Sequence, residues 1–109
     1  MSQTLNIKDL PFGIRTQLRH GTGVSGNMVY IGRPSKWGNP FRIGAVYQGR
    51  VLTRQDAIEA YKDWLLHSEE GQVLLKDLGE LKGKDRVCWC APQPCHGDFL
   101  GELVAQTEG

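Results

Sequence analysis

The chain has no long apolar run, no basic-then-apolar leader at its start, and no strong excess of charge of either sign. The first absence excludes a bilayer-spanning helix, which needs about 20 predominantly apolar residues in a row. The opening Met1-Ser2-Gln3-Thr4 has none of the marks of a leader, so a cytoplasmic location is the expectation. The net charge is +1, so the field around the whole molecule is weak and nucleic acid is not the expected partner. Cysteine is scarce. There are three, an odd number, all within one short window, which suits reduced thiols or metal ligands better than a secreted disulfide scaffold. Internal repeats and low-complexity tracts are also missing.

The 109 residues suit a single domain with one modest core. An apolar fraction of 39% and a charged fraction of 23% place the chain among ordinary globular proteins rather than disordered or fibrous ones. Leu5, Ile7 and Leu10 suggest a short strand before Pro11. The stretch from His20 to Asn27 is a loop by composition, with glycines that permit positive φ. Met28-Val29-Tyr30-Ile31 reads as a buried strand, and Val46-Tyr47 with Val51-Leu52 as a small hairpin around Gln48-Gly49-Arg50. Thr53 is a good N-cap with Asp56 three residues on, and Ala57, Ile58, Tyr61, Trp64 and Leu65 follow at helical spacing. Gly71 ends or bends that helix. Val73, Leu74 and Leu78 suggest a second helix, with Gly79 just past its end. A strand is expected over Arg86–Cys90. A last helix should start between Cys95 and Asp98, with Phe99, Leu100, Leu103 and Val104 as its apolar stripe. This order predicts an α/β or α+β fold, a small sheet with helices packed on it.

Two segments carry the chemistry. The first is Cys88-Trp89-Cys90-Ala91-Pro92-Gln93-Pro94-Cys95-His96-Gly97-Asp98. Cys88 and Cys90, two apart on a strand, face the same side. With Cys95 and His96 they form a Cys-x-Cys-x4-Cys-His set, enough for tetrahedral zinc, though the spacing departs from the common zinc patterns. The competing expectation treats Cys88 and Cys90 as strand packing and places the function at the helix start. There Gly97 and the following amides favour an anion. Cys95 would be a nucleophile of lowered pKa, His96 a general acid or base, and Asp98 the group that orients His96 or caps the helix.

The second segment is Gly32-Arg33-Pro34-Ser35-Lys36-Trp37-Gly38-Asn39-Pro40-Phe41. Arg33 offers a planar fork for phosphate or carboxylate and Lys36 a mobile point charge. Trp37 offers a face for stacking a base, and Asn39 a donor–acceptor edge. Pro34 and Pro40 stiffen the loop. The bland alternative is a structural loop anchored by Trp37 and Phe41. The glycines from Gly21 to Gly26 match neither the P-loop nor the dinucleotide fingerprint.

Taken together, the motifs Tyr30–Phe41 and Cys88–Asp98 resemble the two signatures of a small bacterial and phage family catalogued as domain of unknown function 4326. The resemblance runs from about Tyr30 to Leu103. It implies where a site lies and carries no reaction with it. A phage-encoded member would act in the host cytoplasm, and capture of a nucleotide signal used in host defence is the concrete idea that context suggests.

The expected function is binding of a nucleotide-type ligand by Arg33, Ser35, Lys36, Trp37, Asn39, Trp89, His96 and Gly97, with no cofactor. One alternative is an enzyme acting on a phosphoester or N-glycosidic bond through Cys95, His96 and Asp98. Another is a zinc-stabilised interaction module. An uncovered sheet edge would favour a homo-oligomer, and no membrane partner is expected.

Overall fold

The computed structural model describes residues 3–33, 35–90 and 93–108. Strand β1 (Thr4–Asn6) runs into a 3₁₀ turn at Ile7–Asp9, where Asn6 caps by accepting from the Lys8 amide. The strand expected through Leu10 is thus cut to its first half. Helix α1 (Phe12–His20) follows and was not expected. Its inward face is little more than Ile14 and Leu18, one turn apart, too short a stripe to read as periodic.

β2 (Val24–Ser25) lies inside the stretch expected as loop and pairs antiparallel with β3 (Met28–Tyr30). Gly23 and Gly26 do take positive φ, at 81° and 56°. β4 (Val46–Tyr47) and β5 (Arg50–Val51) form the second hairpin. Its turn is Gln48-Gly49, both at positive φ, the geometry whose twist suits a two-residue hairpin loop. Arg50 therefore belongs to the strand, and Leu52 leaves it to be buried.

Helix α2 (Arg54–His67) starts as expected. The Thr53 hydroxyl accepts from the Asp56 amide and the Asp56 carboxylate accepts from the Thr53 amide. Ser68 ends α2 and caps α3 (Glu69–Leu75), its hydroxyl accepting from the Gly71 amide. The bend is thus at Ser68 rather than at Gly71, which lies in the first turn of α3 and allows its close approach to α2, where a Cβ would clash with the Leu65 carbonyl oxygen. The expected second helix ends at Leu75, and Leu78–Leu81 is a 3₁₀ turn that includes Gly79. β6 (Asp85–Cys88) stops two residues short of expectation, because the chain bends at Trp89. Helix α4 (His96–Glu108) closes the described chain.

The fold is α+β. The main sheet has the order β1-β6-β3-β2, with β6 parallel to both β1 and β3, and β4–β5 form a separate pair. Leu5 lies opposite Val87 on one side of β6 and Tyr30 opposite it on the other. Alternation along β3 and β6 sends Val29 and Cys88 to one face and Tyr30 and Val87 to the other. The first face packs on Tyr61 and Leu65 of α2 and Leu100 and Val104 of α4; the second packs on Ile7 and on Leu18 of α1. Among the described residues no helix is long and apolar enough to cross a membrane.

Because β1, β6 and β3 are parallel, their carboxyl ends meet at one edge. The segments after β3 and β6 emerge there beside the start of α4. Ligands of open parallel sheets lie at such an edge.

Candidate functional site

A cavity of about 300 Å³ opens at that edge, at the small end of the range for small-molecule sites. Its back wall is sulfur and imidazole: Cys88 at the end of β6, Cys90 in the bend beyond it, and Cys95 and His96 at the start of α4. Arg33, Arg42 and Arg54 supply cations from three different stretches of chain. Phe41 and Ile43 line one side, Ala57 and Ile58 the base of α2, and Trp89, partly exposed, stands at the rim.

The three sulfurs lie within 4.8 Å of one another, with the Sγ atoms of Cys88 and Cys95 3.3 Å apart, and none of them is in a disulfide. Two receive backbone donors: the Cys90 amide points at the Cys88 Sγ (3.5 Å) and the Gly97 amide at the Cys95 Sγ (3.3 Å). Cys95 is the residue before α4, so its sulfur fills the place of the usual Ser or Asp cap. Hydrogen bonds from Cys88 and Cys95, and then from Arg54, draw the Cys90 thiol far below its ordinary range. The same sharing with Cys88 and Cys90, together with burial, pushes Cys95 up. The three thiols share their protons as one group, and Arg54 favours the ionised form of Cys90. The cluster is of a kind that could hold a metal ion, and Cys88, with Cys90 packed against it, also belongs to the hydrophobic core as expected.

His96 does not join the sulfur group. Its Nε2 lies 2.8 Å from the Ile31 carbonyl, which can only accept, so Nε2 carries the proton. The ring packs edge-on against Tyr61, centroids 4.9 Å apart. Burial pushes its pKa down, against the hydrogen bond to Ile31, and the ring is neutral. Asp98 accepts from the Cys95 amide at 3.3 Å, which closes the first turn of α4. Of its two expected roles it takes the capping one. Among the described residues no hydrogen bond joins His96 to Cys95 or Asp98, so no Cys–His–Asp relay is assembled. Gly97 is tightly enclosed: a Cβ there would lie 2.7 Å from the Ile31 Cδ1, and that side chain would have to shift.

The loop after β3 divides. Arg33 lines the cavity and donates from Nη1 to the Asn39 carbonyl at 2.6 Å. Asn39 also borders the cavity, but its side chain is spent on structure, donating to the Ala57 carbonyl and accepting from the Phe41 amide. Trp37 is 2% exposed in the core, and the Tyr61 hydroxyl donates to its carbonyl. Its ring is thus not offered for stacking. Lys36 pairs with Asp77 (3.1 Å) and Glu80 (2.8 Å), and the hydrogen bond to Glu80 is the main cause of its raised pKa. Ser35, Lys36 and Trp37 instead border a second hollow of about 490 Å³ beside α1 and β2. They turn away from the cavity because the chain reverses through Ser35–Gly38, tied by the Ser35 and Gly38 amides. The stiffening expected of Pro34 lies outside the described residues.

Trp89 is held by its indole N–H, which donates to the Tyr30 hydroxyl at 2.8 Å, and that hydroxyl donates to the Arg33 carbonyl. The Arg19 guanidinium stacks on its ring at 4.8 Å from the centroid. Beneath the cluster Arg86 is buried at 5% exposure. Its Nη2 reaches the Thr4 hydroxyl, while Nε and Nη1 find no partner among the described residues. Sequence reasoning missed Arg42 and Arg54, which read in isolation as solvated cations. The position of Arg54 directly after the Thr53 cap, at the start of a legible helix, was the one available signal.

A family model described as a domain of unknown function, numbered 4326, matches residues 14–106. The chain is also similar to an uncharacterised 12.4 kDa protein from the nrdA-td intergenic region of enterobacteria phage T4. The two are 35% identical over 78 residues, covering 70% of this chain and 66% of the relative. The chain thus spans just under two thirds of that protein's length. No solved structure matches it.

Proposed function

The chain belongs to the family of domain of unknown function 4326, and from that premise we propose that it binds a small anionic ligand of nucleotide type in the cavity at the carboxyl edge of the sheet. One observation carries the reading: Arg33, Arg42 and Arg54 converge on a cavity that also presents Phe41 and Trp89. Guanidinium forks suit phosphate, and an aromatic face at the rim suits a base. Binding is favoured over turnover because His96 is engaged with Ile31 rather than with Cys95 or Asp98. Capture of a host-defence nucleotide signal is the setting we propose for such binding, one open to a chain similar to a phage protein.

A panel of nucleotides, followed by melting temperature and by chromatography of the recovered ligand, tests this. A shift with intact ligand is the expected result. Altered ligand would move the reading to an enzyme, and no shift with any nucleotide would remove both. Arg33→Ala is expected to cost about 1.5–3 kcal/mol of affinity by calorimetry, the worth of a charge-assisted hydrogen bond.

A second reading has its own observation. The sulfur group of Cys88, Cys90 and Cys95 fits a zinc ion, the softest of the common structural metals, and stoichiometric zinc in the purified protein is its test.

A further inference from the structure

We propose that Cys88, Cys90 and Cys95 hold a zinc-type ion as an open three-thiolate centre, whose fourth position faces the cavity and exchanges water for an anionic donor of the bound ligand. This rests on the zinc reading above and adds what that reading leaves undecided, namely whether the protein closes the coordination shell.

The geometry supplies three ligands. A tetrahedral ion with bonds of about 2.3 Å to sulfur sets its sulfurs ~3.8 Å apart. The three Sγ atoms, within 4.8 Å of one another and with one pair at 3.3 Å, need only small adjustments to meet that spacing. Two backbone amides already point at two of the sulfurs, the arrangement that stabilises thiolate over thiol.

Among the described residues no fourth protein donor lies within the sulfur group. His96 stands outside the sulfur group with its Nε2 on the Ile31 carbonyl. Asp98 is held by the Cys95 amide. All three cysteines line the cavity, so the side of the cluster away from the sheet faces the space that Arg33, Arg42 and Arg54 surround.

Charge agrees with this arrangement. Three thiolates and a dication sum to −1, and the protons of the thiols leave to solvent as the ion binds. Arg54 lines the same cavity as Cys90 and is tied to the Pro94 carbonyl, and Arg86, two residues before Cys88 on β6, is buried with two guanidinium nitrogens unpartnered by described residues. These cations offset the charge of the centre and leave room for one more anion. A ligand carrying phosphate on the arginines and a second anionic or soft donor would displace the water and span both.

The test uses the full chain reconstituted with cobalt(II), a spectroscopically visible substitute for zinc, and thiocyanate as the probe anion. The expected result is sulfur-to-cobalt charge transfer at one ion per chain, with visible ligand-field bands that shift and saturate as thiocyanate is added. Arg54→Ala should retain the charge-transfer bands and need at least tenfold more thiocyanate for the same shift. Absence of charge transfer at any cobalt loading removes the metal centre itself. Charge transfer with ligand-field bands indifferent to thiocyanate overturns the open position alone and points to a closed shell. His96→Ala then identifies the closing group: thiocyanate sensitivity appearing only in that variant would mean that His96 is the fourth ligand.

Discussion

At the scale of single residues, the site depends on side chains with two obligations. Cys95 caps α4 through its sulfur and belongs to the thiol cluster. Asn39 borders the cavity while holding the loop to α2. Tyr30 supports Trp89 and the Arg33 carbonyl with one hydroxyl. Gly97 has little tolerance, since a methyl group would press into the Ile31 and Thr4 side chains at once. Gly97→Ala is expected to destabilise the fold by about 1–3 kcal/mol, the usual cost of overpacking, measurable as a lower urea midpoint at unchanged slope. Tyr61→Phe removes the donor to the buried Trp37 carbonyl, and a loss of about 1–3 kcal/mol is expected from the unsatisfied acceptor. A loss under a few tenths of a kcal/mol would mean that Trp37 needs no such anchor.

At the scale of elements, α2 is the piece most fully written into the chain. Its cap, first turn and apolar stripe are local features, and all of them form. Thr53→Ala should cost about 1 kcal/mol by loss of the cap. The Asp56 carboxyl is held below its usual range chiefly by the Thr53 amide, then by the Thr53 side chain, with Arg50 adding to both. A depressed carboxylate stabilises the fold above the ordinary carboxylate pKa, and that stability is lost as pH falls through the depressed value. Denaturant midpoints of the wild type should therefore drop more steeply below about pH 4 than those of Asp56→Ala; parallel curves would contradict the assignment. By contrast α1 and β2 were illegible. A nine-residue helix with two buried-side apolar positions has no period to read, and a two-residue strand exists only through its pairing with β3. The end of β6 was misjudged for a related reason, since what stops it is the bend into the cavity wall, while α3 gives way after Leu75 to turns closed by the Lys76 and Asp77 amides.

At the scale of the whole molecule, the two signature segments stood out in the sequence, and parallel pairing of β3 and β6 brings their downstream ends to one edge. Which residues face inward was not recognisable. Lys36 and Trp37 looked as suited to a ligand as Arg33, but the reversal at Ser35–Gly38 sends them to Glu80 and to the core. The thiols looked poorly spaced for a metal along the chain, yet spacing along a chain says little once a strand end and a helix start are folded together. Zinc at a hundred times its dissociation constant should add about 2.7 kcal/mol of stability, a rise in melting temperature on the order of 10 °C that a strong chelator reverses. Equal melting temperatures with zinc and with chelator would count against the metal. The capping sulfur of Cys95 has one further consequence. The Gly97 amide proton points at it, so the first turn of α4 is a built-in gauge of the chemical state of the cluster. Hydrogen exchange at that one amide should slow when the thiols are engaged and quicken when they are alkylated, giving a readout of occupancy that needs neither a chromophore nor a known ligand.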